Sequence, residues 1–149
     1  MSKRSVSLPT SVPRAPAPHR GTREVGIVVF GDALLLDATG PADVLGRANH
    51  HARAPGDLDR YRINALSTFG GEVVSSCGLR LHTAPLPPPE ICAFDTLVIA
   101  GGPGVMAARH DPHLRNWLLA VEPRVRRIGS VCTGAYMLVS REPDVKTVM

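Results

Sequence analysis

Three observations predict an α/β domain built on a doubly wound, mostly parallel sheet with helices on both faces. The apolar runs Val25-Gly26-Ile27-Val28-Val29-Phe30 and Phe94-Asp95-Thr96-Leu97-Val98-Ile99-Ala100 are continuous rather than alternating, as strands covered on both sides require. Segments with helical spacing and capping residues separate the strands, so the chain alternates β with α. Small-residue turns follow the strands, at the carboxyl edge where open α/β sheets bind ligands. With 149 residues the chain fills one such domain and is too short for two of ordinary size.

The first strand, 25–30, belongs in the centre of the sheet. After it, Thr39 or Gly40 can cap a helix over 41–53, with Pro41 in its first turn and Asp43 complementing the positive helix end. Tyr61-Arg62-Ile63-Asn64-Ala65-Leu66-Ser67 alternates and reads as a second strand. Gly70-Gly71 is expected to turn the chain into a small strand pair, 73–76 and 79–83. Pro85 to Pro89 forms a stiff spacer. The run 94–100 is the next buried strand. A helix over 111–121 follows, with Asp111 as N-cap, Pro112 at its first position, and Leu114, Trp117, Leu118 and Val121 on one face. The strand 126–131 and a helix from 133 complete the pattern.

Charge is unevenly placed. The chain holds 17 Lys and Arg against 13 Asp and Glu. Lys3, Arg4, Arg14, Arg20 and Arg23 lie in residues 1–23, which contain no acid, leaving 12 cations against 13 anions in the body. The pI of about 9.4 therefore reflects the tail and does not mark the domain as a nucleic-acid binder. Pro9, Pro13, Pro16 and Pro18 among Ser, Thr and Ala give that tail a disordered composition, without the apolar core of a secretory signal. No apolar run reaches a membrane span, and a cytoplasmic location is expected. Cys77, Cys92 and Cys132 are odd in number and lack C-x-x-C spacing, which argues for reduced thiols and against a disulfide scaffold or structural zinc. His50-His51 and His110-x-x-His113 lack ligand companions at metal spacing, so no metal and no cofactor is expected.

Three strand ends could share one rim. Asp37 follows the first strand, Gly101-Gly102 follows 94–100, and Cys132 sits in Gly129-Ser130-Val131-Cys132-Thr133-Gly134-Ala135-Tyr136, between a strand and a helix. A thiol near a helix amide end is activated, surrounding amides form an oxyanion hole, and a carboxylate exchanges a proton. Each piece has a plainer reading as well: a buried apolar cysteine, a tight Gly-Gly-Pro-Gly turn, an aspartate capping its own turn. That glycine turn matches neither a dinucleotide fingerprint nor a P-loop.

The stretches Leu36-Asp37-Ala38-Thr39-Gly40-Pro41, Ile99-Ala100-Gly101-Gly102-Pro103-Gly104 and Ser130-Val131-Cys132-Thr133-Gly134-Ala135 resemble, in order and spacing, the ThiJ/PfpI family of the class I glutamine amidotransferase-like superfamily. The resemblance runs over residues 24–139. It implies a three-layer, flavodoxin-like fold. It is closest to two branches, the ligand-sensing domain of AraC-type (GlxA-like) transcriptional regulators and the isonitrile hydratases, which convert an isonitrile to an N-substituted formamide. By this resemblance Cys132 is an elbow nucleophile, Asp37 the carboxylate beside it, Thr133 a neighbouring side chain or amide, and Gly102 an oxyanion donor, with Gly101 completing the ligand rim. Family members with peptidase-like activity carry His after the cysteine, where this chain has Thr133, which disfavours proteolysis.

Arg124-Val125-Arg126-Arg127-Ile128 and residues 70–79 look more like the regulators. A small-molecule ligand and a homodimer are implied, with no specific DNA contact by this chain alone and no membrane partner. The resemblance stops at Val139, and Pro143 should end the last helix early. The domain expected over 24–140 is thus incomplete at its C-terminus, with a divergent tail over 141–149, as in a truncated gene product.

Overall fold

The computed structural model describes residues 21–52 and 60–139. The basic tail through Arg20, residues 53–59, and the segment 140–149 with Pro143 lie outside the described residues.

Six strands form one sheet in the order β3-β4-β2-β1-β5-β6. These are β1 (Arg23–Val28), β2 (Tyr61–Ser67), β3 (Phe69–Val74), β4 (Arg80–Pro85), β5 (Thr96–Ile99) and β6 (Arg127–Ser130). All neighbours are parallel except β3, which pairs antiparallel with β4 at the edge. The chain leaves β1 toward β2 by helix α1 (Leu35–Ala52), and leaves β5 in the opposite direction toward β6 by α2 (Val105–Arg109) and α3 (Pro112–Val121). Right-handed crossovers that run in opposite directions put their helices on opposite faces. The direction changes between β1 and β5, and their carboxyl ends open there.

The continuous apolar runs form the central strands, as expected. Val28, Leu97 and Ile99 are fully buried, with Ile27 and Leu66 beside them. The α3 face predicted from spacing is buried at Leu114, Trp117, Leu118 and Val121, and the Trp117 indole donates to the Pro87 carbonyl at 2.6 Å. Asp111 caps α3, its carboxylate accepting from the His113 amide at 2.9 Å.

Local signals mislead at two places. The first helix begins at Leu35 rather than at 41, so Asp37, Thr39 and Pro41 lie inside it. The Thr39 hydroxyl bonds back to the Leu35 carbonyl at 3.1 Å instead of capping a start. Pro41 deprives Asp37 of its helical donor, but burial of Ala38 and packing of Ala42 against the core hold these turns in place. Gly70-Gly71 does not turn the chain. Both lie within β3 with φ of 72° and 81°, and a Cβ on Gly70 would stand 2.7 Å from the Pro85 nitrogen. The chain reverses instead at Thr68, between β2 and β3, and the turn expected within the strand pair is Ser75 to Leu79, closed by the Ser75 amide on the Leu79 carbonyl at 2.8 Å. The short helix α2 was not anticipated, because five residues carry too little periodicity to stand out.

At the amino edge, Arg126 grips Asp95 with two bonds of 2.7 and 2.6 Å, fastening the start of β6 to that of β5. These bonds, with a smaller contribution from the Thr96 hydroxyl, lower the Asp95 pKa from 3.8 to about 2. A depressed carboxylate stabilises the fold above its ordinary pKa, and that gain is lost as pH falls through the folded value. Arg126 is exposed, so solvent screens the pair and its contribution is small. Asp95→Asn should therefore lower the denaturation midpoint at pH 6, and the gap from the wild type should narrow as pH drops from 4 toward 2.

Candidate functional site

Three segments meet at the carboxyl ends of β1, β5 and β6. The first is the loop after β1, running into the first turn of α1 and carrying Asp37. The second is Gly101-Gly102, just past β5. The third is the turn after β6, where Cys132–Gly134 forms a single 3-10 turn before helix α4 (Ala135–Val139).

Their contacts are specific. The Gly101 amide donates to Asp37 Oδ2 at 3.0 Å, and the Leu34 amide donates to the Gly101 carbonyl at 2.8 Å. The Gly102 amide donates to Thr133 Oγ1 at 2.9 Å. A Cβ on Gly101 would lie 2.7 Å from the Thr133 amide nitrogen and 2.9 Å from Asp37 Oδ2, so only glycine fits between them. Gly134 is wedged the same way, 2.5 and 2.7 Å from the Ile99 and Ala100 carbonyl oxygens by the same construction. Gly102 adopts φ of 135°, a conformation that glycine reaches without strain.

Asp37 is buried, 8% exposed, whereas Cys132 is exposed. Cys132 has φ of 53°, left-handed backbone that a side-chain-bearing residue enters at a cost. The Val131 amide bonds the Ile99 carbonyl at 2.9 Å and the Gly134 amide bonds the Val131 carbonyl at 3.0 Å, so both flanks of the strained residue are pinned. The turn thus exposes the thiol at the end of a strand and the start of a helix.

The residues selected from sequence therefore fall into one cluster: Asp37, Gly101, Gly102 and Thr133 touch directly, and Cys132 adjoins them through the chain. Asp37 reaches it from a helix rather than from a loop. Sequence reasoning overlooked the loop Gly31 to Leu34, which braces the rim through Leu34. Its only signal was the turn-forming pair Gly31-Asp32. The other thiols lie elsewhere: Cys77 is exposed in the β3–β4 turn, where bonds from Ser75 and the Leu79 backbone lower its pKa, and Cys92 is half-buried. Among the described residues no three His, Cys, Asp or Glu side chains converge on a metal position, and no helix is long and apolar enough to cross a membrane.

The doubly wound sheet carries an exposed cysteine on a strained strand-to-helix turn, and comparison with known proteins agrees with the fold. A ThiJ/PfpI family protein from Pseudomonas syringae superposes with a TM-score of 0.67 at 22% identity, over 89% of this chain and 53% of that one. An AraC family transcriptional regulator from Pseudomonas putida superposes with a TM-score of 0.58 at 26% identity, over 78% of this chain and 69% of that one. In sequence, an uncharacterized protein in the cpoL 5′ region of Streptomyces lividans is 37% identical over 121 residues, 81% of this chain and 78% of the relative. The HTH-type transcriptional regulator GbdR of Pseudomonas aeruginosa is 27% identical over 131 residues, 88% of this chain but 34% of the regulator. The isonitrile hydratase of Pseudomonas putida is 28% identical over 116 residues, 77% of this chain and 46% of the enzyme. No family model matches the chain. The chain has the fold of the ThiJ/PfpI family proteins, and it belongs to one family with the Streptomyces lividans relative.

Two substitutions test the geometry. Gly101→Ala should destabilise by about 1–3 kcal/mol, because its methyl group meets backbone as well as the Asp37 carboxylate. Cys132→Gly should be more stable than Cys132→Ala by about 0.5–1 kcal/mol, the release of left-handed strain outweighing glycine's greater unfolded-state entropy. Chemical denaturation of the purified variants reads both.

Proposed function

We propose that this chain is the small-molecule-sensing domain of an AraC-type transcriptional regulator, with its ligand on the rim of Asp37, Gly101, Gly102, Cys132 and Thr133. The observation that carries this reading is that the two glycine amides are already engaged, Gly101 by Asp37 and Gly102 by Thr133. An oxyanion hole needs donors aimed at charge that develops during reaction. A rim whose donors are satisfied at rest offers instead a fixed surface, with the exposed thiol and the spare lone pairs of Asp37 and Thr133 to recognise a bound molecule. The similarity to GbdR over 88% of this chain, and to the solved AraC family regulator, supports the same reading. In it the domain works in the cytoplasm as a homodimer, and specific DNA contact belongs to other segments of the regulator.

A second reading rests on the exposure and strained backbone of Cys132, together with the similarity to isonitrile hydratase. In this reading the Cys132 thiol adds across the terminal carbon of R–NC, forming a C–S bond and leaving a thioimidate, R–N=CH–S. Water then adds to that carbon, the C–S bond breaks, and the thiol is regenerated with release of R–NH–CHO. Asp37 would carry the proton between sulfur, water and nitrogen.

The two readings separate in one pair of experiments. For the sensor, a metabolite screen by thermal shift should find a compound that raises the melting temperature by several degrees when it is present at about 100 times its Kd, equivalent to about 2.7 kcal/mol. Thr133→Val should abolish that shift, and incubation with an alkyl isonitrile should give no formamide above the buffer rate. Formamide formed by the wild type and lost in Cys132→Ala would replace the sensor with the hydratase.

A further inference from the structure

A second concavity lies outside the rim just described. It has a volume of about 450 Å³ and lies among the ends of β1 and β2, the start of β3, and the α2–α3 corner. That is within the range of about 300–1,000 Å³ typical of small-molecule sites. Apolar side chains line much of it, including Val29, Phe30, Val73 and Ala108, together with Phe69, a residue that is 77% exposed. Its ionisable lining consists of two carboxylates, Asp111 and the exposed Asp32, and the His113 imidazole packs edge-on against the outer Phe69 ring with centroids 5.4 Å apart.

The two acids are held differently. Asp111 is fixed on both oxygens, accepting from the His113 amide at 2.9 Å and from the Thr68 hydroxyl at 2.9 Å. Asp32 is fixed through its backbone. Its amide donates to the Val74 carbonyl at 3.0 Å, its carbonyl accepts from the Gly104 amide at 3.2 Å, and its φ is 58°. Its carboxylate has no hydrogen-bond or ionic partner among the described residues. The molecule therefore maintains a strained, doubly anchored aspartate that is exposed and whose charge is uncommitted, at the mouth of a largely apolar concavity with a second carboxylate. Aromatic faces and carboxylates are the two groups that attract organic cations.

We propose that this cavity binds a small organic cation, an ammonium group carried on an apolar body, with Asp32 as its principal counter-charge and Asp111, Phe30 and Phe69 completing the site. The site is independent of what occurs at Cys132. The loop Asp32 to Leu34 nevertheless links the two places, since Leu34 also bonds Gly101.

Phenethylammonium is a suitable probe, compared by calorimetry and amide chemical shifts with neutral 2-phenylethanol and anionic 3-phenylpropionate. Measurements are made on the full chain at pH 8, where an ordinary histidine is uncharged. The expected result is saturable binding of the ammonium compound alone, with shifts at Asp32, Thr68 and Ala108. Asp32→Asn, which tolerates left-handed backbone as well as aspartate does, should weaken binding about tenfold, the usual worth of a hydrogen bond to a charged group. Cys132→Ala should bind like the wild type, so failure of the rim as a ligand site leaves this test unaffected. The proposal is overturned by absence of saturable binding, by equal binding of the three compounds, by unchanged affinity in Asp32→Asn, or by shifts confined to the Cys132 turn.

Discussion

The close passage of Gly101 between the Asp37 carboxylate and the Thr133 amide is the constraint on which the rim depends. It brings the end of β5 within contact of both the helix that follows β1 and the turn that follows β6, and no residue with a side chain could occupy the gap. Both polar groups of Gly101 are then used, its amide by Asp37 and its carbonyl by Leu34. A buried carboxylate without a donor would be costly, so the contact that requires glycine is also what makes Asp37 tolerable at that depth. Gly134 plays the matching part on the other flank, allowing the 3-10 turn to lie against the carbonyls of Ile99 and Ala100.

This packing also explains how Cys132 persists in a left-handed conformation. Strain of that kind survives where the surroundings overdetermine the backbone. Here Val131 and Gly134 are bonded on either side, and Thr133 is held by Gly102. The bracing extends across the sheet. The Asp32 amide bonds Val74 and the Ser76 amide bonds the Ala33 carbonyl, so the antiparallel hairpin at one edge buttresses the loop that supports Gly101. A rim carried on parallel strands and a cavity beside the hairpin are thereby parts of one hydrogen-bonded framework.

Most of the architecture was legible in the chain because burial on both faces leaves a strong imprint. The runs at Val25 and Phe94, and the face of Leu114, Trp117, Leu118 and Val121, declare their elements through composition and period alone. The start of α1 was not legible. Pro41 and Thr39 carry local signals for a helix beginning, yet packing of Ala38 and Ala42 against the core extends the helix past both, and propensity yields to tertiary burial. Gly70-Gly71 likewise signals a turn by its local chemistry, but both residues lie inside a strand, where Gly70 serves a close approach to Pro85.

By itself the sequence determined the alternation of strand and helix, the central strands, and the residue types gathered at three strand ends, because these follow from hydrophobic periodicity and from where chain order places each turn. Only the tertiary structure decided which groups touch. That the Gly101 amide meets Asp37, that Thr133 takes the Gly102 amide, and that Asp32 presents an unpartnered carboxylate at the mouth of a largely apolar concavity depend on contacts between segments far apart in the chain. Such contacts are set by the crossing of packed backbones, and no local pattern of residues encodes their distances.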